Sequence, residues 1–219
     1  VSRRRCARPV AAFVAVLAAA ACGTGSGDDD GSADPVQAAA ARTPGSAGEL
    51  SALLVTEVPS GLARVADADV DPPAGEKSLA DVAGYADDPA YERAVLEDYG
   101  YRYGWERFWG TPGGTVTSVF VDQFDAVEGA AAYAEDLAGD GADHYAGMLV
   151  HDPVALPDGC RLLTVSHPDP ESRVTGPAAF AWCAHGVFSV AVSAVSATVG
   201  AATDEVVAVV ATQLDRLPG

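Results

Sequence analysis

Apolar positions along this chain alternate between a spacing of three to four and a spacing of two, and each switch marks a change from helix to strand. Ser46-x-x-Glu49 ahead of Leu50, Leu53 and Leu54 predicts a capped short helix that ends before Pro59. Residues 60–77, rich in Asp and Pro, read as irregular, and Ser78-Leu79-Ala80-Asp81-Val82 as a second short helix. Asp88-Pro89 starts a third, with Tyr91, Ala94 and Val95 sharing a face and Gly100 as the stop. Tyr101 to Trp109 alternates as a strand. Pro112-Gly113-Gly114 turns it, and Thr115 to Phe124 is a second strand. Asp125-x-x-Glu128 predicts the cap of a helix lined by Val127, Ala130, Ala131, Ala134 and Leu137, with Gly139 as its end. Segments 148–155 and 160–166 read as strands about Pro157-Asp158-Gly159. Segments 178–183 and 187–195 read as a hairpin about His185-Gly186. Thr203 is the expected start of the last helix, with Val206, Val209, Val210, Leu214 and Leu217 inward.

Helices with one apolar stripe beside hairpins predict an α+β fold: an antiparallel sheet of about six strands with amphipathic helices packed on it. Strand–turn–strand–helix occurs twice, at 101–138 and 178–217. Apolar residues make up 49% and charged residues 20%, a globular balance. Residues 46–219 are read as one domain of ordinary size.

The first 45 residues read differently. Arg3, Arg4, Arg5 and Arg8 form a basic start, and Pro9 to Ala21 an apolar run too short to span a bilayer, which takes roughly 20 residues. Residues 1–21 are therefore expected to be a signal peptide. The run ends in Ala19-Ala20-Ala21-Cys22-Gly23, which resembles a bacterial lipobox, although Ala19 stands where that motif prefers Leu. The resemblance implies cleavage before Cys22 and a lipid on its sulfur. Ordinary cleavage after Ala19-Ala20-Ala21 is the alternative, and would release a soluble form. Residues 22–45, with Gly/Ser and Asp28-Asp29-Asp30 runs, read as a flexible tether.

The net charge is -18, and becomes -22 when removal of the four leader arginines takes Lys+Arg from 13 to 9 against 31 acids. Such a surface repels phosphate backbones, so nucleic-acid binding is excluded. Cys6 falls in the leader and Cys22 at the lipidation site. Cys160 and Cys183 remain as an even pair, expected to be a disulfide in an oxidising compartment, with two reduced core cysteines as the alternative.

Candidate chemistry is sparse. Tyr99, Tyr101, Tyr103 and Trp105 recur at period two, so an extended chain would point all four to one face. With Trp109 they are the candidate ligand-binding residues, against the alternative of a strand packed beneath a helix. Asp67-Ala68-Asp69-Val70-Asp71 has calcium-loop spacing, but Pro72 replaces the required glycine, and the segment reads as a solvated loop. His144, His151, His167 and His185 show no metal-ligand spacing, and no nucleophile elbow is present. No cofactor, metal site or catalytic constellation is expected, and the domain is read as non-enzymatic.

Residues 46–219 are similar to secreted lipoproteins of unknown function from actinobacteria, and resemble the extracellular sensor-like domains of actinobacterial serine/threonine kinases. The similarity lies in Leu50 to Leu54 leading into Pro59-Ser60-Gly61-Leu62, in Val119–Phe124 running into the Ala-rich helix, and in Cys183 ahead of the Val187–Val195 strand and a last amphipathic helix. It implies an extracytoplasmic binding or sensing domain, held to the cell membrane by its lipid, with a small-molecule, glycan, lipid or protein ligand from the envelope. A lipid carrier with an internal apolar cavity, or a hydrolase using a histidine such as His151 or His144, are the alternatives.

Overall fold

The structure is a computed structural model that describes residues 42–219, apart from 112 and 173. The predicted leader, Cys22 and most of the tether lie outside the described residues.

Seven antiparallel strands form one sheet among the described residues, in the order β1-β2-β3-β7-β6-β5-β4. They are β1 (Gly75–Lys77), β2 (Tyr101–Gly110), β3 (Val116–Phe124), β4 (Met148–Val150), β5 (Cys160–Val165), β6 (Ala178–His185) and β7 (Phe188–Val195). The helices are α1 (Ala47–Leu53), α2 (Leu79–Ala83), α3 (Pro89–Tyr99), α4 (Val127–Tyr145) and α5 (Val199–Leu214). The α+β class stands as predicted. The seventh strand is β1, three residues without an apolar side chain beyond the Lys77 stem, so alternation could not reveal it.

Period-two alternation divides the sheet's side chains between two helical layers. Val119, Val121, Ala181, Cys183, Phe188, Val190 and Val192 join Leu50, Leu53 and Leu54 of α1 and Val206, Val209 and Val210 of α5 in one core. On the opposite face, Tyr101 and Phe124 pack with Val82 of α2, Leu96 of α3 and Tyr133 of α4, while Phe180 and Trp182 pack against Ala138 of α4.

Local signals set most boundaries. Ser78 caps α2 in a capping box with Asp81, and the Asp88 carboxylate accepts from Ala90 and Tyr91 at the start of α3. Gly100 ends α3 at φ 75°, in the left-handed region that glycine occupies without strain. Three boundaries differ from expectation. The last helix begins four residues before Thr203, capped by the Thr198 hydroxyl on Ala201 N–H. Helix α4 passes Gly139 and continues to Tyr145 because Gly141 lies against the Trp182 ring, where a Cβ would stand 2.5 Å from the indole. Segment 148–155 contributes only the three residues of β4. Two helix faces differ in part: Val127, Ala131 and Tyr91 are exposed, while Ala130 and Ala134 are buried as expected, joined by Tyr133 and Ala138 on α4 and by Leu96 on α3.

The short α1 is fastened by its C-terminal carbonyls, which have no partners within the helix. Arg107 of β2 donates to Ser51 O at 2.8 Å, Leu54 O at 3.0 Å and Val55 O at 2.8 Å. Arg216 donates to Leu53 O at 2.8 Å and Ala52 O at 3.2 Å. The fully buried Gln213 accepts from Val55 N–H at 2.9 Å and donates to Leu53 O at 3.2 Å. Two cations at the helix C-terminus also oppose its dipole.

Cys160 and Cys183 face each other in register across β5 and β6 and form a disulfide. Their sequence separation of 23 predicts that the Cys160→Ser/Cys183→Ser double variant loses about 3 kcal/mol in the chain-entropy description. Denaturant unfolding of the two proteins measures the difference directly.

Candidate functional site

The five candidate rings do not share one surface. Tyr99 is the last residue of α3, and its hydroxyl donates to Asp136 Oδ2 at 2.6 Å. A bulge between Tyr101 and Tyr103 shifts the β2–β3 register, pairing Tyr101 with Phe124 and Tyr103 with Gln123. Tyr101 therefore faces α2, α3 and α4, whereas Tyr103, Trp105 and Trp109 face α1. The single face expected from period two is corrected to two faces, because the extra residue at the bulge reverses the alternation. On the α1 side Trp109 is fully buried and its Nε1 donates to Thr56 O at 3.3 Å. Tyr103 is half-buried, and with Gln123 it donates to Pro44 O, at 2.8 and 3.0 Å, a contact with a residue ahead of the predicted boundary at 46.

The bulge brings together a group of residues that the sequence did not announce. Lys77, Gly104 and Asp122 lie side by side across β1, β2 and β3. Gly104 has no side chain, and that gap is filled: a Cβ there would stand 2.1 Å from Asp122 Oδ1 and 2.8 Å from the Tyr101 hydroxyl. Two residue pairs along, on the same face, Glu106 forms an ion pair with Lys77 at 3.2 Å, both side chains about 95% buried. Tyr85, following α2, donates to Glu106 Oε1 at 2.8 Å, and Lys77 lies over the Tyr85 ring. Lys77 also donates to Pro73 O. The Tyr101 hydroxyl donates to Lys77 O at 3.1 Å and is in addition a hydrogen-bond partner of Asp122. Ser189 stands opposite Asp122 on β7, its buried hydroxyl without a partner among the described residues.

Two carboxyls and one ammonium are thus enclosed beneath α2, α3 and α4. Burial pushes the Asp122 carboxyl up to about 7. The Tyr101 hydrogen bond opposes that rise, and the Glu106 charge adds to it. Burial also raises Glu106, against the pull of Tyr85 and Lys77. Tyr101 and Tyr133 are raised by burial and by the nearby Asp122, so both stay neutral phenols. Both acids are buried, with Tyr85 donating to Glu106 and Tyr101 hydrogen-bonded to Asp122.

Open space occurs elsewhere. A groove of about 350 Å3 lies on the α1/α5 side, lined by Ser60, Thr115, Thr117, Ser196, Asp204 and Glu205 among others. Glu205 is buried there and accepts from Ser60 N–H at 2.9 Å, Ser60 Oγ at 2.6 Å and Thr117 Oγ1 at 3.1 Å, pinning the loop after α1 to α5. The histidines are scattered by the topology: His151 is exposed and paired with Glu135 at 3.7 Å, while His167 and His185 follow opposite ends of the β5–β6 ladder. Asp67 of the DxDxD segment is engaged by Arg64. Glu106 and Asp122 are the single acids of their strands, but Arg102 and Arg107 on β2 and Thr117, Ser118 and Gln123 on β3 surround them with other polar residues, so the sequence did not single them out.

The direction of Asp122's shift fixes a pH dependence. Below about pH 4 the carboxyl is neutral in both folded and unfolded chains. As pH rises towards 7 only the unfolded chain ionises, so the folded state loses relative stability, by up to about 4 kcal/mol from this group. Glu106 acts in the same direction. Denaturant melts at pH 5 and pH 8 should show lower stability at pH 8, and Asp122→Asn should flatten most of that slope. Gly104→Ala, which drives a methyl into Asp122 and Tyr101, should cost about 1–3 kcal/mol at either pH, read from the same melts.

No protein-family model matches the chain, and no curated protein matches it. Among solved structures, the extracellular domain of PknH from Mycobacterium tuberculosis is similar in fold, with a TM-score of 0.49 and 15% identity, over 80% of this chain and 97% of that one. At that level the likeness bears on neither ligand nor partner.

Proposed function

We propose that this chain is an extracytoplasmic lipoprotein, anchored to the membrane through an acylated Cys22, whose α+β domain binds a ligand of the cell envelope and performs no chemistry on it. The observation that carries the reading is the pairing of two independent cysteine uses. A basic and apolar leader stops at Cys22, and the cysteines of the domain meet in register as a disulfide, which persists in oxidising compartments. The strongly acidic mature surface keeps such a domain soluble and away from anionic headgroups, so the tether rather than the domain surface supplies the attachment.

The groove bordered by Ser60, Thr117 and Glu205 is the proposed place of ligand entry. Its volume falls in the range of small-ligand sites, and Pro59, Ala194, Val195 and Ala201 give it apolar walls beside the polar groups. The three rings on the α1 side, Tyr103, Trp105 and Trp109, belong to the core packed against α1 and do not line this groove. A lipid carrier would need space between the sheet and α5, which Phe188, Val190, Val206, Val209 and Val210 occupy.

Fractionation and mass analysis test the anchor. The native chain is expected in the membrane fraction, beginning at Cys22 and carrying fatty acid, and Cys22→Ala in the soluble or unprocessed fraction. An uncut leader on unacylated chain in the cytosol would overturn the reading. For the ligand, titration of the mature protein with soluble envelope glycan fragments should move the backbone amide signals of Ser60, Thr117 and Ser196 before those of β5 and β6.

A further inference from the structure

Tyr101 has one phenolic proton and two acceptors within reach of it. It donates to Lys77 O, the last carbonyl of the edge strand β1, and its oxygen lies beside the Asp122 carboxyl in the gap above Gly104. While Asp122 is protonated the two demands agree: the carboxyl donates to the phenol oxygen, and the phenol donates to Lys77 O. An ionised Asp122 has no proton to give and takes two or three donors. Ser189 can turn to it without leaving a partner behind. Tyr101 can do so only by releasing Lys77.

We propose that the Tyr101 hydroxyl is a two-position switch that fastens the β1–α2 segment to the sheet while Asp122 is protonated and releases it when Asp122 ionises. The surroundings make release consequential. The charged and titratable groups around Asp122 are Glu106 on β2, Lys77 on β1, Asp81 and Tyr85 from α2 and the turn after it, and Tyr133 on α4 with Glu92 of α3 and Asp140 of α4 acting on it. One ammonium, Lys77, then faces two buried carboxylates. Opening of β1 and α2 gives both of them water. β1 is the segment able to move, because it is three residues long, pairs on one side only, and is followed immediately by the five-residue α2. The far side of the sheet is unaffected, since the Cys160–Cys183 disulfide crosses β5 and β6. This device makes the domain's edge responsive to envelope pH, and it stands independently of which ligand the groove takes.

Hydrogen–deuterium exchange of the full mature chain in detergent micelles, from pH 4 to pH 8.5 and corrected for intrinsic exchange, tests it. The opening of amides within 75–83 should rise by up to about tenfold per pH unit below pH 7 and level off above it, while amides of β5 and β6 stay constant. Asp122→Asn, whose amide donates to Tyr101 as the neutral carboxyl does, should hold 75–83 closed throughout. Tyr101→Phe should raise exchange of 75–83 at pH 5 towards the level of the parent chain at pH 7. A pH-dependent rise that survives in Asp122→Asn would overturn the proposal. So would Tyr101→Phe leaving exchange at pH 5 unchanged, and that arm decides alone if Asp122→Asn does not fold.

Discussion

A missing side chain at Gly104 lets a carboxyl lie buried across the sheet, and the arrangement of the β1–β3 half follows from that. Asp122 occupies the gap, Tyr101 closes over it, and the bulge that reverses β2 at Tyr101–Tyr103 is what places the phenol there. An isolated buried ion pair is a weak stabiliser, because desolvating two charges offsets their attraction. Here the pair Lys77–Glu106 is completed by Tyr85 and by Pro73 O, so β1, α2 and the turn after it converge on one polar centre. Removing any one member would leave the others unpaired in a low-dielectric interior.

The two sides of the sheet are consequently held by different physics. The β5–β6 side is joined covalently and packed with apolar rings, among them Tyr145, Phe180 and Trp182. The β1–β2 side is joined by hydrogen bonds and charges whose strength depends on protonation. Across the sheet, α1 combines the two: Leu50, Leu53 and Leu54 pack in the core, Arg107, Arg216 and Gln213 donate to its terminal carbonyls, and Glu205 pins the loop that follows it. The groove at Glu205 and the buried centre at Asp122 lie on opposite faces, since Thr117 and Asp122 alternate along β3.

Most of the framework was legible in the chain. Asp88-Pro89, Gly100, Ser78-x-x-Asp81 and the His185-Gly186 turn announce their elements through local chemistry, and the register of Cys160 with Cys183 follows from neighbouring strands. The parts that were not legible depend on long-range contacts. Gly139 read as a breaker because propensity is local, and the Trp182 ring that requires a glycine at 141 comes from a distant strand that local pattern does not show. β1 has no apolar pattern because it is held by a charge. Period two predicted one aromatic face and could not show an inserted residue. Glu106 and Asp122 are buried acids whose strands also hold Arg102, Arg107, Ser118 and Gln123, so their burial shows only once the helices cover them.

The claim on which the account rests is that Asp122 keeps its proton in the folded chain at pH values where an ordinary aspartate has lost it. Infrared difference spectra between pH 5 and pH 8.5 measure this through the carbonyl stretch of a protonated carboxyl. The account predicts loss of such a band with a midpoint at about 7, present in the parent chain and absent from Asp122→Asn. A band that disappears with a midpoint near 4, or an identical spectrum from the variant, would contradict it.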